Sequence, residues 1–326
     1  MALLGLERLT NLFKLHMMEK NAKIFVAGHK GMAGSAIVRE LQNQGYSNLI
    51  TKTRAELDLM NQQKVAEFFA QEKPQFVFLA AAKVGGIEAN RSQLGAFLYE
   101  NIQIQNNIIH NAYLNGVERL IFLGSSCIYP REAPQPIKEE YLLTGALEPT
   151  NYGYAIAKIA GVKMCEAYRA QYGCDFVPVM PTNLYGINDN FDPVNSHVLP
   201  ALIRRFYEAK ARGASEIVVW GTGTPMREFL FVDDLAKACI FVANNKNVTS
   251  LINIGTGEDV SIKELAELIK KISGFEGEIK FDTTKPDGTL RKVLDVSKIN
   301  ALGFEATTKL DDGIKIVYDW FSKNYK

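Results

Sequence analysis

Residues 23–44 read Lys-Ile-Phe-Val-Ala-Gly-His-Lys-Gly-Met-Ala-Gly-Ser-Ala-Ile-Val-Arg-Glu-Leu-Gln-Asn-Gln. The run Lys23–Ala27 is β-rich, and Ser35–Gln44 has helical periodicity, so Gly28, Gly31 and Gly34 sit in a turn that joins a strand to a helix. Working outward, Asn48–Thr53, Phe76–Ala80, Arg119–Gly124 and Asp175–Pro181 read as further strands separated by amphipathic stretches. Strands alternating with helices predict an α/β fold, a Rossmann-type doubly wound parallel sheet with ligands at the carboxyl ends of its strands.

After Pro181 the alternation gives way to a polar loop through Asn188, Asp189, Asn190 and Asp192, then a helix near Asn195–Arg212. Val232–Asn244 reads as a helix and Leu251–Ile254 as a strand. The C-terminal stretch holds two or three helices and a short strand at Glu278–Phe281. The expected division is an N-terminal extension over 1–20, a nucleotide-binding domain over 21–183 and 229–256, and a smaller mixed α/β substrate-binding domain over 184–228 and 257–326.

Composition narrows the class. The 326 residues are 47% hydrophobic and 22% charged, which is an ordinary globular balance, and the formal net charge of +1 gives no field for nucleic acid. Cys127, Cys165, Cys174 and Cys239 form no zinc-type spacing, so no metal is expected and a reducing cytoplasm suits them. Glu7, Arg8 and Lys14 interrupt the apolar residues of the first twenty, and no membrane segment is expected.

The glycines have separate tasks: Gly28 permits a tight turn, Gly31 lets the backbone approach a pyrophosphate, and Gly34 allows the helix to pack closely on the strand. The N-terminus of the following helix offers free N–H groups that suit phosphate, and Met32 in the turn is a candidate cofactor contact. An adenine dinucleotide is the ligand that this turn predicts. The second strand ends Thr51-Lys52-Thr53-Arg54 with no carboxylate, so Arg54, with Lys30 or Lys52, is expected to bind a 2′-phosphate and to select NADPH/NADP+. Asp58 is the candidate for the adenine edge.

Tyr154 and Lys158 lie four residues apart and share a helical face, where an ammonium is expected to lower the phenol's pKa. Ser125, in Gly124-Ser125-Ser126-Cys127-Ile128-Tyr129-Pro130 at the fourth strand's end, is placed to bond the same carbonyl oxygen. These residues, with Pro181-Thr182-Asn183-Leu184-Tyr185-Gly186, Arg227-Glu228-Phe229-Leu230-Phe231-Val232-Asp233-Asp234 and Asn253-Ile254-Gly255-Thr256-Gly257, resemble the extended short-chain dehydrogenases across nearly all of 21–326. Within them, the strings around Cys127, Tyr154 and Asn183, and Asn195-Ser196-His197-Val198-Leu199-Pro200, are similar to the GDP-L-fucose synthase family.

That resemblance implies conversion of GDP-4-keto-6-deoxy-D-mannose to GDP-L-fucose, by epimerising the two carbons beside the ketone and reducing it with NADPH. It assigns catalysis to Ser125, Tyr154 and Lys158, with Cys127 and His197 as the epimerising acid/base pair. Lys158, Asn183 and His197 are implied cofactor contacts, and Arg205, Trp220, Arg227 and Asp287 are implied substrate contacts. Family members commonly have lysine where Arg205 stands. The long helical stretches Gln93–Asn115 and Tyr152–Gly173 resemble the helices that form the family's homodimer.

The chemistry of the pair also stands alone. A ketone acidifies both neighbouring C–H bonds, so inversion takes a base on one face and an acid on the other, and a thiol and an imidazole both exchange protons near neutrality. Two rival readings are an NAD-holding 4-epimerase or 4,6-dehydratase, and a silent sensor of the nicotinamide ratio. Arg54, Cys127 and His197 oppose the first, and the Ser125/Tyr154/Lys158 set opposes the second.

Overall fold

The computed structural model describes residues 18–193, 195–285 and 287–325. Most of the expected extension over 1–20 therefore lies outside the described residues. Strand β1 (Ile24–Ala27) leads into α1 (Met32–Asn43), followed by β2 (Leu49–Ile50), α2 (Gln62–Glu72), β3 (Phe76–Leu79), α3 (Ile87–Ser92), α4 (Leu94–Leu114), β4 (Arg119–Leu123), α5 (Tyr152–Tyr172) and β5 (Phe176–Pro181). Then come β6 (Asn183–Tyr185), α6 (Val198–Ala211), β7 (Glu216–Trp220), β8 (Met226–Arg227), β9 (Phe229–Phe231), α7 (Val232–Asn244), β10 (Ile252–Ile254) and β11 (Val260–Ser261). The chain closes with α8 (Ile262–Ser273), β12 (Glu278–Asp282), β13 (Arg291–Lys292), α9 (Ser297–Ala301) and α10 (Leu310–Asn324).

Six strands form one parallel sheet in the order β10-β5-β4-β3-β1-β2. Every residue of β1, β3, β4 and β5 is buried, because helices cover both faces and the strands are apolar along their length. Arg119 is the exception in composition. It is buried at the start of β4, where Asp175 takes its Nη1 at 2.6 Å and the carbonyls of Asn245 and Val248 each accept from Nη2 at 2.9 Å. The order of strands reverses between β1 and β3, which puts the glycine turn at the switch point of the sheet.

A second apolar core gathers Leu199, Leu202, Ile203 and Phe206 of α6 with Leu265, Ala266 and Ile269 of α8 and Ile314, Val317 and Phe321 of α10. Small sheets edge it: β7 with β12, and β8 between β11 and β13. Part of the C-terminal segment returns to the first core, however. Leu294, Val296 and Ile299 pack there, so the chain crosses between the two cores again after β13.

Candidate active site

The glycine turn has the geometry that the sequence predicts. Gly28 has φ +89°, and a Cβ there would lie 2.7 Å from the Ala81 nitrogen; a Cβ at Gly34 would overlap the Gly28 carbonyl. Gly31 differs, since its nearest neighbour would be the Gly28 oxygen at 3.5 Å, leaving the face of the turn open. Gly31 caps α1, Met32 is its first residue, and the first turn carries no acidic side chain to compete with an anion. Arg54 is exposed in the turn after β2, with no ion-pair partner among the described residues, and it fits a 2′-phosphate. Glu56 is occupied instead with the Thr53 N–H and hydroxyl, at 2.7 and 2.6 Å. One oxygen of Asp58 accepts from the Met60 N–H at 3.1 Å, closing its own turn and leaving the other for a ligand. An open pyrophosphate face, a free helix N-terminus and an unpaired guanidinium together fit NADP.

At the end of β4, Ser125 caps a single 3-10 turn, Ser126–Ile128, which carries Cys127. Tyr154 and Lys158 come from the first two turns of α5. The Lys158 ammonium is buried, donates to the Leu123 carbonyl at 2.8 Å and stands 4.8 Å from the centre of the Phe122 ring. Burial lowers its pKa to about 8. Lys158 lies 5.8 Å from the Tyr154 ring, yet the expected lowering of the phenol is not found. Burial against neighbours including Phe97, together with the Cys127 sulfur, pushes Tyr154 well above the ordinary range, and Ser125 as hydrogen-bond partner opposes this only in part. Tyr154 therefore keeps its proton near neutral pH.

Cys127 lies beside Ser125, and the Lys292 ammonium acts on both Cys127 and the distant His197. His197 caps α6 without using its side chain on the helix, so the imidazole is left for other work. Burial pushes the Cys127 thiol up, against the ammonium groups of Lys292 and Lys158. The surrounding protein and Lys292 push His197 down. Both shifts favour neutral forms, a thiol and a free imidazole.

Trp220 is 62% exposed, which rules out a place in the core, and the Arg205 guanidinium and the Lys285 ammonium each stand 5.6 Å from its ring centre. Arg205 also donates to the Val218 carbonyl at 3.2 Å. Arg227 is half-buried beside Asp287. Asp287 accepts from the Thr222 N–H at 2.9 Å and its hydroxyl at 2.7 Å, so the carboxylate locks the turn after Trp220. Asn183 donates from Nδ2 to the Glu228 carbonyl at 2.8 Å, which leaves its amide oxygen for a cofactor.

Residues 24–255 match the NAD dependent epimerase/dehydratase family. The chain belongs to this family. It is similar to GDP-L-fucose synthase 1 of Arabidopsis thaliana, 61% identical over 94% of this chain and 95% of the relative. It is also similar to the GDP-L-fucose synthase of Escherichia coli strain K12, 53% identical over 93% of this chain and 97% of the relative. Among solved structures, a GDP-mannoheptose C4 reductase of Campylobacter jejuni with NADP bound is 46% identical, with a TM-score of 0.87 over 94% of this chain and 99% of that one.

Two residues that sequence reasoning passed over complete this epimerase-family site. Lys292, on the two-residue β13, faces Cys127, His197, Arg227, Glu148 and Glu228, and its own pKa is lowered by burial first of all. Glu228 is fully buried: one carboxylate oxygen accepts from the N–H groups of Thr256 at 2.7 Å and Gly257 at 2.8 Å, the other from that of Leu294 at 2.8 Å. The Arg227-Glu228 string was the available signal for Glu228. For Lys292 a two-residue strand offers no periodicity.

Proposed function

We propose that the chain converts GDP-4-keto-6-deoxy-D-mannose to GDP-L-fucose, inverting the two carbons beside the ketone and then reducing it. What supports this reading is that Cys127 lies beside Ser125, Tyr154 and Lys158 and shares the Lys292 ammonium with His197, in a chain 53–61% identical to GDP-L-fucose synthases over most of its length.

Ser125 and Tyr154 bond the ketone oxygen. Removal of a proton from either adjacent carbon moves charge onto that oxygen, where these two hydroxyls and the nearby Lys158 ammonium stabilise the enolate. Of Cys127 and His197, one takes the proton and the other returns one from the opposite face, so the carbon is inverted and the pair's proton count is unchanged. Bound NADPH supplies the hydride for the ketone carbon. Tyr154, whose proton is tightly held until charge appears on the ketone oxygen, delivers it to that oxygen, and buried Lys158 orients the phenol and offsets the phenolate left behind. Arg205 and Arg227 grip the diphosphate, with Trp220 against the base or sugar. Arg54 selects the phosphorylated cofactor.

The working form is a homodimer in the cytoplasm, built on α4 and α5. These helices pack side by side and leave Tyr99, Leu114, Tyr152, Ile156 and Tyr172 exposed, an unusual number of large apolar side chains for a free surface. All four cysteines are free, and no described helix is long and apolar enough to cross a membrane. Incubation with GDP-4-keto-6-deoxy-D-mannose and NADPH tests the activity: GDP-L-fucose is the expected product, and an unchanged ketone or a sugar with its ring carbons uninverted contradicts the reading.

A further inference from the structure

Gly86 precedes α3 with φ −67° and ψ −176°, extended backbone that any residue adopts. Its conformation gives no reason for glycine, but its surroundings do. A Cβ at Gly86 would stand 2.9 Å from the carbonyl oxygens of both Asn195 and Ser196, well inside ordinary contact. The Gly86 N–H also donates to the Asn195 carbonyl at 2.8 Å. Two segments more than a hundred residues apart thus meet main chain to main chain, directly before His197.

Both sides of this contact are braced. Asn90 donates from Nδ2 to the carbonyls of Gly85 at 2.7 Å and Gly86 at 3.0 Å, which folds the turn back on α3. Across the seam, the Asn195 N–H bonds the Asp192 carboxylate at 2.8 Å, and the Ser196 N–H bonds the Asp192 carbonyl at 3.1 Å. Immediately after His197, Leu199, Leu202 and Ile203 anchor α6 in the second core. His197 therefore stands between an anchored helix and a backbone contact that only a glycine permits.

We propose that Gly86 is a positioning residue for His197, fixing through the backbones of Asn195 and Ser196 where the imidazole stands relative to the C–H bonds beside the ketone. This rests on the reading of His197 as half of the epimerising pair. The close contacts of Gly86 across the seam are with the backbones of Asn195 and Ser196, which lead directly into His197, so displacement of the seam acts on proton exchange before it acts on reduction. A shift of a few tenths of an ångström to 1 Å at a reacting group costs on the order of tenfold to a hundredfold in rate.

The test compares Gly86→Ala and His197→Ala with the unmodified protein. Three quantities are read: solvent deuterium entering the carbons beside the ketone without NADPH, the share of product reduced before inversion when NADPH is supplied, and NADPH affinity. For Gly86→Ala the expected result is exchange at least roughly tenfold slower, a larger share of prematurely reduced sugar, and NADPH affinity within about twofold. Exchange within twofold of the unmodified rate in Gly86→Ala, with His197→Ala impaired, overturns the proposal alone. Unimpaired exchange in His197→Ala overturns the underlying reading and the proposal with it. If Gly86→Ala fails to fold, Asn90→Ala serves, since it loosens the same turn without adding an atom: slower exchange with NADPH affinity kept supports the proposal, and unchanged exchange overturns it.

Discussion

The Glu228 carboxylate accepts the backbone N–H of Leu294 at 2.8 Å, and through it the link between β8 and β9 holds the segment just after β13, the strand that carries Lys292. Because the other oxygen binds Thr256 and Gly257, one side chain ties the loop after β10, at the rim of the parallel sheet, to the segment after β13.

In Glu228→Gln, the amide oxygen keeps the two donors of Thr256 and Gly257, and its NH2 then faces the Leu294 N–H, donor against donor. Loss of that bond in a buried place costs about 1–3 kcal/mol. A lower melting temperature is expected, with a raised KM for the GDP-sugar and little change for NADPH. Thermal unfolding and steady-state kinetics check this, and an unchanged KM contradicts the role given to the tie.

Arg54 is the residue proposed to govern cofactor choice. Its guanidinium is exposed and unpaired among the described residues, placed to meet a 2′-phosphate that a carboxylate would repel. Arg54→Ala is expected to weaken NADPH roughly tenfold while leaving NADH nearly unaffected. Binding titrations of both cofactors measure it. Equal affinity for NADPH and NADH in the unmodified protein contradicts the assignment.

The proposed mechanism divides two chemistries between neighbouring side chains. Cys127→Ser replaces the thiol with an alcohol, a far poorer proton carrier near neutrality, so deuterium exchange beside the ketone should nearly vanish while some reduction survives. That variant is expected to release a GDP-6-deoxyhexose other than fucose. Tyr154→Phe should impair reduction most. Mass and proton spectra of the products distinguish these outcomes, and full exchange in Cys127→Ser would remove it from the pair.

The pH profile of exchange follows from the same groups. The active pair carries one dissociable proton, so the rate is bell-shaped, and its limbs belong to the pair. His197 is held below its ordinary 6.5, which puts the acid limb below that value, and Cys127 is held above 9.0, which puts the basic limb above it. The Lys292 ammonium lowers both groups, so in Lys292→Met both limbs should move to higher pH. A shift of either limb downward contradicts this electrostatic account.

The sheet was legible because strands such as Phe76–Leu79 are apolar without interruption, and the glycine turn because its spacing sits between a strand and a helix. Ser125, Cys127, Tyr154, Lys158 and His197 were legible as residue types within long strings. What could not be read depends on contacts remote in sequence. The raised pKa of Tyr154 comes from burial beside residues such as Phe97 and Cys127, which adjacency to Lys158 does not reveal. The Asp287 carboxylate is engaged with Thr222, 65 residues away, a contact that its local sequence does not signal. The return of Leu294–Ile299 to the first core leaves no local signature either, since a short apolar run packs as well on one core as on the other.

The central claim is that one oxygen-binding site serves both inversion at the two flanking carbons and reduction at the ketone. Running the complete reaction in deuterium oxide with unlabelled NADPH, then locating the label in the product, tests it most directly. The account predicts GDP-L-fucose with deuterium on both ring carbons that flank the reduced one, and none on the reduced carbon itself. Absence of label from either flanking carbon, or deuterium on the reduced carbon, would contradict it.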